Sequence, residues 1–282
     1  MIGVSVLLPF FRAKYIGWLP MEGLIRQVDI DFEWELIVAE ELNDETFGKN
    51  RISEYMPKLK QIGCIRFKYI GLPEWIPLSG KRKLLIDESD LNSKLIMGNG
   101  SDDYSPPKRL STMWKLKQKH PDADWFSSTA NINYDIATDI ALQRKPVFMA
   151  GQTQEAKDFL KKTRADVAGQ AQAASLMRKV AKVINPDLSY AVDGHVWKTA
   201  HRIKPGLKLI IDEGDNWKYS LNTNGFNNIS FEYRDLHFKN PTTFPGHDPT
   251  PINMDKFIPP EIMKRLRDSK KFLHLHKRGL PA

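Results

Sequence analysis

The sequence predicts an α/β fold, a mainly parallel sheet flanked by helices. Three observations carry this. Short, nearly unbroken apolar runs (GVSVLLPF at 3–10, ELIVA at 35–39) read as strands buried on both faces. Segments with helical character separate them through short connections, the pattern of parallel strands joined by crossovers. The 282 residues are 41% hydrophobic and 27% charged, enough for a large core in one domain, or in one domain with an appended lobe.

The elements follow in order. Residues 3–10 form a first strand ending at Pro9, and a helix over 14–28 has its first half made irregular by Gly17 and Pro20. A second strand at 35–39 closes on Glu40 and Glu41, 51–62 reads as helix, and 64–70 alternates as a third strand. After a loop with Pro73, Trp75, Pro77 and Gly80 come a helix over 81–89 and a fourth strand over 94–97. That strand delivers Gly98-Asn99-Gly100-Ser101-Asp102-Asp103, and Pro106-Pro107 then opens a helix over 107–120. Beyond it lie a strand at 125–132, a largely helical stretch at 154–184, a short helix at 195–201 that Asp193 could cap, and a strand at 207–211. From Pro241 repeated prolines suggest a tail wrapping the body, and the end of the chain is basic (Lys264, Arg265, Arg267, Lys270, Lys271, Lys277, Arg278). The expected organisation is a domain over 1–240, divided near 106, with an extension over 241–282.

The bulk properties narrow the function classes. A net charge of +8 favours a polyanionic partner: nucleic acid, an anionic membrane surface or a phosphate-rich substrate. Cys64 is the only cysteine, which excludes an intramolecular disulfide and a Cys-rich zinc site and suits a reducing cytoplasm. The apolar run near the N-terminus is too short to span a bilayer and lacks the basic flank of a signal peptide. No Gly-x-Ser-x-Gly, phosphate-loop Gly-Lys-Ser/Thr or His-Glu-x-x-His element is present.

The informative stretch is the turn after the fourth strand. An α/β sheet places its ligand at the C-terminal edge of its strands. Asp102 and Asp103 offer hard oxygen ligands there, suited to a divalent cation shared with a diphosphate. The plainer alternative is a solvated turn.

The order of motifs resembles the family 2-type glycosyltransferases with the GT-A fold. Val4-Ser5-Val6-Leu7-Leu8-Pro9 is similar to the family's opening strand, and Glu35-Leu36-Ile37-Val38-Ala39-Glu40-Glu41 to its second strand with a following acidic pair. Lys81-Arg82-Lys83 with Leu85, Ile86 and Ser89 resembles its A-R-N-x-G-I helix start, and Gly100-Ser101-Asp102-Asp103-Tyr104-Ser105-Pro106 its D-A-D-D-x-x-x-P element. The chain departs from the pattern at Glu40-Glu41, where the family has aspartates, at Gly100, where it has the first acid, and at Lys83, where it has Asn.

The resemblance implies a metal-dependent transferase with a nucleotide-sugar-binding half over 1–106 and an acceptor-side half over 107–240. It implies that Asp103 holds Mn²⁺ or Mg²⁺, that Asp102 sits beside it facing ribose or sugar, and that Pro9, Glu40 and Arg82 line the donor site. Glu40 would meet a uracil N–H, hence a UDP-sugar, and Arg82 the phosphates. The alternatives are an exposed strand-end carboxylate and a solvated arginine. Asp193 occupies the position of the catalytic base of inverting members; the alternative is an ordinary helix cap. His195 and His237 could be metal or acceptor contacts or merely structural. Two rivals stand beside this reading. A sugar nucleotidyltransferase would want a Gly-rich phosphate loop where Phe10-Phe11-Arg12-Ala13 stands, and a non-catalytic nucleic-acid-binding protein is supported by charge alone. For the acceptor, the basic C-terminal segment and Lys157, Lys161, Lys162 and Arg164 suggest a polyanion, such as DNA bearing a hydroxymethylated base. A surface glycan or lipid-linked saccharide, with the basic tail on anionic headgroups, is the runner-up.

Overall fold

The structure is a computed structural model that describes residues 1–128, 131–144, 170–189, 192–212, 221–224 and 247–275. Lys157, Lys161, Lys162, Arg164, His237, Lys277 and Arg278, and most of the helix expected over 154–184, lie outside the described residues.

A seven-stranded sheet forms the body, in the order β10-β6-β9-β4-β1-β2-β3. Its strands are β1 (Ile2–Pro9), β2 (Glu33–Glu41), β3 (Cys64–Leu72), β4 (Leu95–Gly98), β6 (Trp125–Ser128), β9 (Ala171–Ala173) and β10 (Leu209–Asp212). β4, β1, β2 and β3 run parallel, β6 and β10 pair parallel, and β9 is antiparallel to both β4 and β6. Because β9 bridges β4 to β6, the two halves expected on either side of residue 106 share one sheet.

The apolar runs are explained by burial on both sides. Val4, Val6 and Leu8 of β1 join one core cluster with Leu36 and Val38 of β2 and Met97 of β4. Leu7, Ile37, Ala39 and Ile96 face the other cluster. Successive side chains alternate faces, so a strand covered on both faces needs apolar residues at every position. α4 (Leu78–Asp87), α6 (Ala174–Val183) and α7 (Val192–Ile203) supply residues to the second cluster. The first cluster is completed by α1 (Trp18–Ile25), α3 (Met56–Gln61), α5 (Arg109–Lys119) and α8 (Pro260–Ser269).

Three sequence expectations are revised. The helix expected over 51–62 is split into α2 (Lys49–Ser53) and α3, because Pro57 lacks an N–H and its ring would meet the Ser53 carbonyl in a continuous helix. The strand expected over 125–132 is divided between β6 and β7 (Asn131–Asp135), which belong to different sheets. The second, five-stranded sheet has the order β12-β8-β7-β11-β5, with β5 (Asp103–Tyr104), β8 (Ile140–Arg144), β11 (Leu221–Asn224) and β12 (His247–Pro251). The C-terminal segment is not a simple wrapping tail. Its β12 joins the second sheet, and α8 starts on Pro260 and buries Ile262, Met263 and Leu266 in the first cluster.

α1 is held against the turn that carries the acidic pair. The buried Gln27 donates Nε2 to the carbonyls of Gly23 (2.9 Å) and Pro106 (2.7 Å), and its Oε1 accepts the Leu110 N–H (2.9 Å). It thereby satisfies one of the orphan donors in the first turn of α5, which has no side-chain cap of its own. Gly23 permits the approach, since a Cβ there would stand 2.6 Å from Ser105 N. Gly23→Ala sets about 1 kcal/mol of helix propensity against the roughly 1–3 kcal/mol cost of overpacking backbone that cannot yield. The steric cost should win, lowering the urea midpoint at an unchanged m-value; a raised midpoint would show that α1 can shift freely.

Candidate active site

Asn99 to Asp102 connect β4 to β5, which Asp103 opens, at the C-terminal edge of the large sheet. Asp102 is buried and Asp103 half-buried. A Cβ on Gly100 would collide with Asp103 Oδ2 and lie 3.3 Å from Asp102 Oδ1. Both carboxylates therefore lean toward one point, and the glycine leaves the room they fill. Two converging carboxylates fit a hard divalent cation, which takes one or two protein carboxylates and completes its shell with phosphate and water. Among the described residues there is no cluster of three or more His, Cys, Asp or Glu side chains that would hold a metal alone.

Beneath the turn lies Arg109, 3% exposed. Nη1 donates to Asn99 Oδ1 (3.1 Å) and Ser105 Oγ (2.9 Å), and Nη2 to the carbonyls of Gly98 (2.6 Å) and Gln170 (3.1 Å). Burial lowers its pKa to about 10, opposed by the charge of Asp103. A cation in the first turn of a helix opposes the helix dipole. That misfit is visible in the sequence, two residues after Pro107, and sequence reasoning passed over it.

The acidic pair that ends β2 is used internally. Glu40 accepts hydrogen bonds from Phe47 N (2.5 Å), Gly48 N (3.0 Å) and Tyr69 Oη (3.0 Å), fixing the loop that follows. Burial raises its pKa against the lowering effect of these donors. Glu41 forms a buried ion pair with Lys81 Nζ, which also donates to the Phe10 carbonyl (2.7 Å). The ends of β1 and β2 are thus tied to the first turn of α4. Burial lowers the Lys81 pKa, with Glu41 and Glu40 opposing.

That tether sets the position of the next residue, Arg82, whose Nη1 forms an ion pair with Asp193 Oδ1. α7 begins at Val192, so Asp193 lies within its first turn and is not a cap, the alternative that the sequence left open; there its charge favours the helix dipole. Arg82 and Asp193 stand on one cleft with Pro9, Asn99, Trp125 and Gln170, at the C-terminal ends of β1 and β4. The structure thus places Pro9, Arg82 and Asp193 on the cleft and Asp102-Asp103 in the turn that leaves its rim. Glu40 does not line the cleft and is hydrogen-bonded within the chain. His195 is half-buried on α7, two residues beyond Asp193.

No protein-family model matches the chain, and no curated protein matches it. Solved structures do. S. aureus TarS 1-349 superposes with a TM-score of 0.57 at 14% identity, covering 79% of this chain and 60% of that one. The same TarS fragment in complex with UDP gives 0.56 at 14% identity, over 79% and 60% of the two chains. In complex with UDP-GlcNAc it gives 0.57 at 13% identity, over 79% and 58%. The chain therefore spans about 60% of the length of the TarS fragment it matches. The likeness is one of fold: a GT-A-like α/β architecture.

The Lys81–Glu41 pair carries a stability prediction. Lys81→Met strands a buried carboxylate and should cost about 3–5 kcal/mol, whereas Lys81→Met combined with Glu41→Leu should recover most of it. Urea unfolding checks both; a double variant as unstable as the single one would show that the pair does not act as a unit.

Proposed function

We propose that this chain is a glycosyltransferase that moves a sugar from a nucleotide-diphosphate donor, a UDP-sugar, to an acceptor hydroxyl with inversion. The observation that carries the reading is the Arg82–Asp193 pair on a cleft whose rim continues into the Asp102-Asp103 turn. A cation, a carboxylate and an acidic turn at one sheet edge are the groups that a diphosphate leaving group and an attacking hydroxyl require. The fold shared with TarS, whose structures include complexes with UDP and UDP-GlcNAc, supports the donor class.

In this reading Asp193 accepts the acceptor's hydroxyl proton as its oxygen bonds to the anomeric carbon. The bond from that carbon to the diphosphate oxygen breaks on the opposite face, its electron pair leaving with the nucleoside diphosphate. Arg82 compensates charge on the phosphates. Because it is paired with Asp193 in the structure, phosphate must compete for the guanidinium, and winning it leaves the carboxylate available. Asp102 and Asp103 would hold a divalent cation, Mn²⁺ or Mg²⁺, which when bound neutralises the departing diphosphate.

UDP and UDP-GlcNAc should raise the melting temperature, more so with Mn²⁺, by about 2.7 kcal/mol of stabilisation at a hundredfold excess over Kd. Asp103→Asn should remove the metal-dependent increment. Asp193→Asn keeps an oxygen for Arg82, and it should cut turnover at least about 100-fold with donor affinity near wild type. No stabilisation by any nucleotide sugar, or full turnover in both variants, would dismiss the reading.

For the acceptor, a second, larger cavity supports a polyanion. Four cations, Lys14, Arg51, Arg265 and Lys271, line it against two carboxylates, Glu54 and Asp268. Part of the basic C-terminal run is already engaged. Arg265 lies over the Trp18 ring at 4.1 Å, and Arg267 pairs with Asp139 (3.1 Å) and Asp255 (3.2 Å). Hydroxymethylated duplex DNA should bind with an affinity that falls steeply with salt, and Lys14→Glu with Lys271→Glu should weaken it further. Failure to bind at low salt would discard DNA and leave the glycan or lipid-linked acceptor.

A further inference from the structure

Two amide side chains on the same cleft have no task in the reaction described above. Asn99 is 0% and Gln170 3% exposed, and both line the cleft. Their orientations are fixed by partners that can only donate. The Asn99 atom facing Arg109 Nη1 (3.1 Å) must be Oδ1, because a guanidinium has no acceptor. The Gln170 atom facing Trp125 Nε1 (2.9 Å) must be Oε1, because an indole N–H only donates. Ser105 Oγ and Gln172 Nε2, each at 3.3 Å, add a second donor to each oxygen. Asn99 Nδ2 and Gln170 Nε2 are then left as donors, and neither has a hydrogen-bond partner. Buried amides in this condition are rare, and a pair on one cleft asks for an acceptor from outside the chain.

We propose that Asn99 and Gln170 receive the carbonyl oxygen of an N-acetyl group on the transferred sugar, an inference that rests on the nucleotide-sugar reading above. Both unsatisfied buried groups on the cleft are donors, no buried side-chain acceptor lining it lacks a partner among the described residues, and the Asp193 carboxylate on the same wall is paired with Arg82. A sugar hydroxyl or a trapped water would bring protons needing acceptors of their own. A carbonyl oxygen brings two lone pairs and no proton, so one atom can satisfy both amides. The rest of the wall suits the attached methyl: Leu7, Ile86, Ile96, Met177 and Val180. Arg109 is the positioning residue, since it holds Asn99 through Oδ1 and Gln170 through its backbone carbonyl.

The test is calorimetric titration of the full chain with UDP, UDP-glucose and UDP-N-acetylglucosamine. The wild type should bind UDP-N-acetylglucosamine at least about tenfold more tightly than UDP-glucose. Asn99→Asp and Gln170→Glu keep the oxygen that faces Arg109 or Trp125 and replace the N–H₂ by an acceptor. Each should bring that ratio close to one while leaving UDP affinity unchanged. Equal wild-type affinity for the two sugars overturns the proposal without any variant, as does a ratio preserved in folded variants. If UDP itself does not bind, the nucleotide-sugar reading falls and this inference with it, an outcome separate from equal binding of the two sugars.

Discussion

The site depends on one constraint, that a buried guanidinium must be surrounded by oxygen. Arg109 has no acceptor of its own and is almost wholly removed from water, so each N–H left unmet would cost free energy. Its two terminal nitrogens are met by groups drawn from distant segments: the carbonyl at the end of β4, the side chains of Asn99 and Ser105, and the carbonyl of Gln170 beside β9. Satisfying one cation therefore fixes the exit from β4, the start of α5 and the approach to β9 at once. Asp103 adds the charge that favours the ionised form. The acidic turn is presented by a framework whose parts cannot move independently.

A second buried cation does the same on the other side of the cleft. Lys81 joins the ends of β1 and β2 to α4, and so places Arg82 opposite Asp193. Each ion pair alone is weak support for stability, because desolvation offsets most of the attraction. Their value here is positional. The Arg82–Asp193 pair on the cleft is next in the chain to the buried Lys81–Glu41 pair, and apolar clusters pack against both faces of the sheet.

The parallel part of the large sheet was legible in the sequence, because strands buried on both faces leave unbroken apolar runs, and β1, β2 and β4 lie within a few residues of where those runs place them; β9, which joins the two halves, falls in the stretch over 154–184 that reads as helix. The acidic turn and Arg82 were legible as motifs. The second sheet was not, since alternation reports that a segment is a strand without saying which sheet it enters; β6 and β7 read as one strand for that reason. The roles of Glu40, Asn99 and Gln170 were hidden for a different cause. A polar residue at a strand end looks the same whether its partner is a ligand, a loop N–H or a buried arginine, and only the three-dimensional neighbours tell these apart. Asp193 was identified by position, with a helix cap as the alternative; the helix starts earlier than the sequence suggests and takes Asp193 into its first turn, helix ends being the least certain part of such an assignment.

β5 is only two residues long, and one of them is Asp103. It is a strand because Asp103 and Tyr104 pair with Asn222 and Leu221 of β11, far along the chain. Local contacts form early in folding, and contacts between distant segments wait until the intervening chain has been brought into place. During synthesis the N-terminal strands can pair as soon as they emerge, yet the acidic turn cannot take its final place until β11 has been made. The acidic turn is therefore among the last parts of the fold to be fixed, and a chain ending before β11 would lack both the strand partner of Asp103 and the α8 residues that complete the first core cluster.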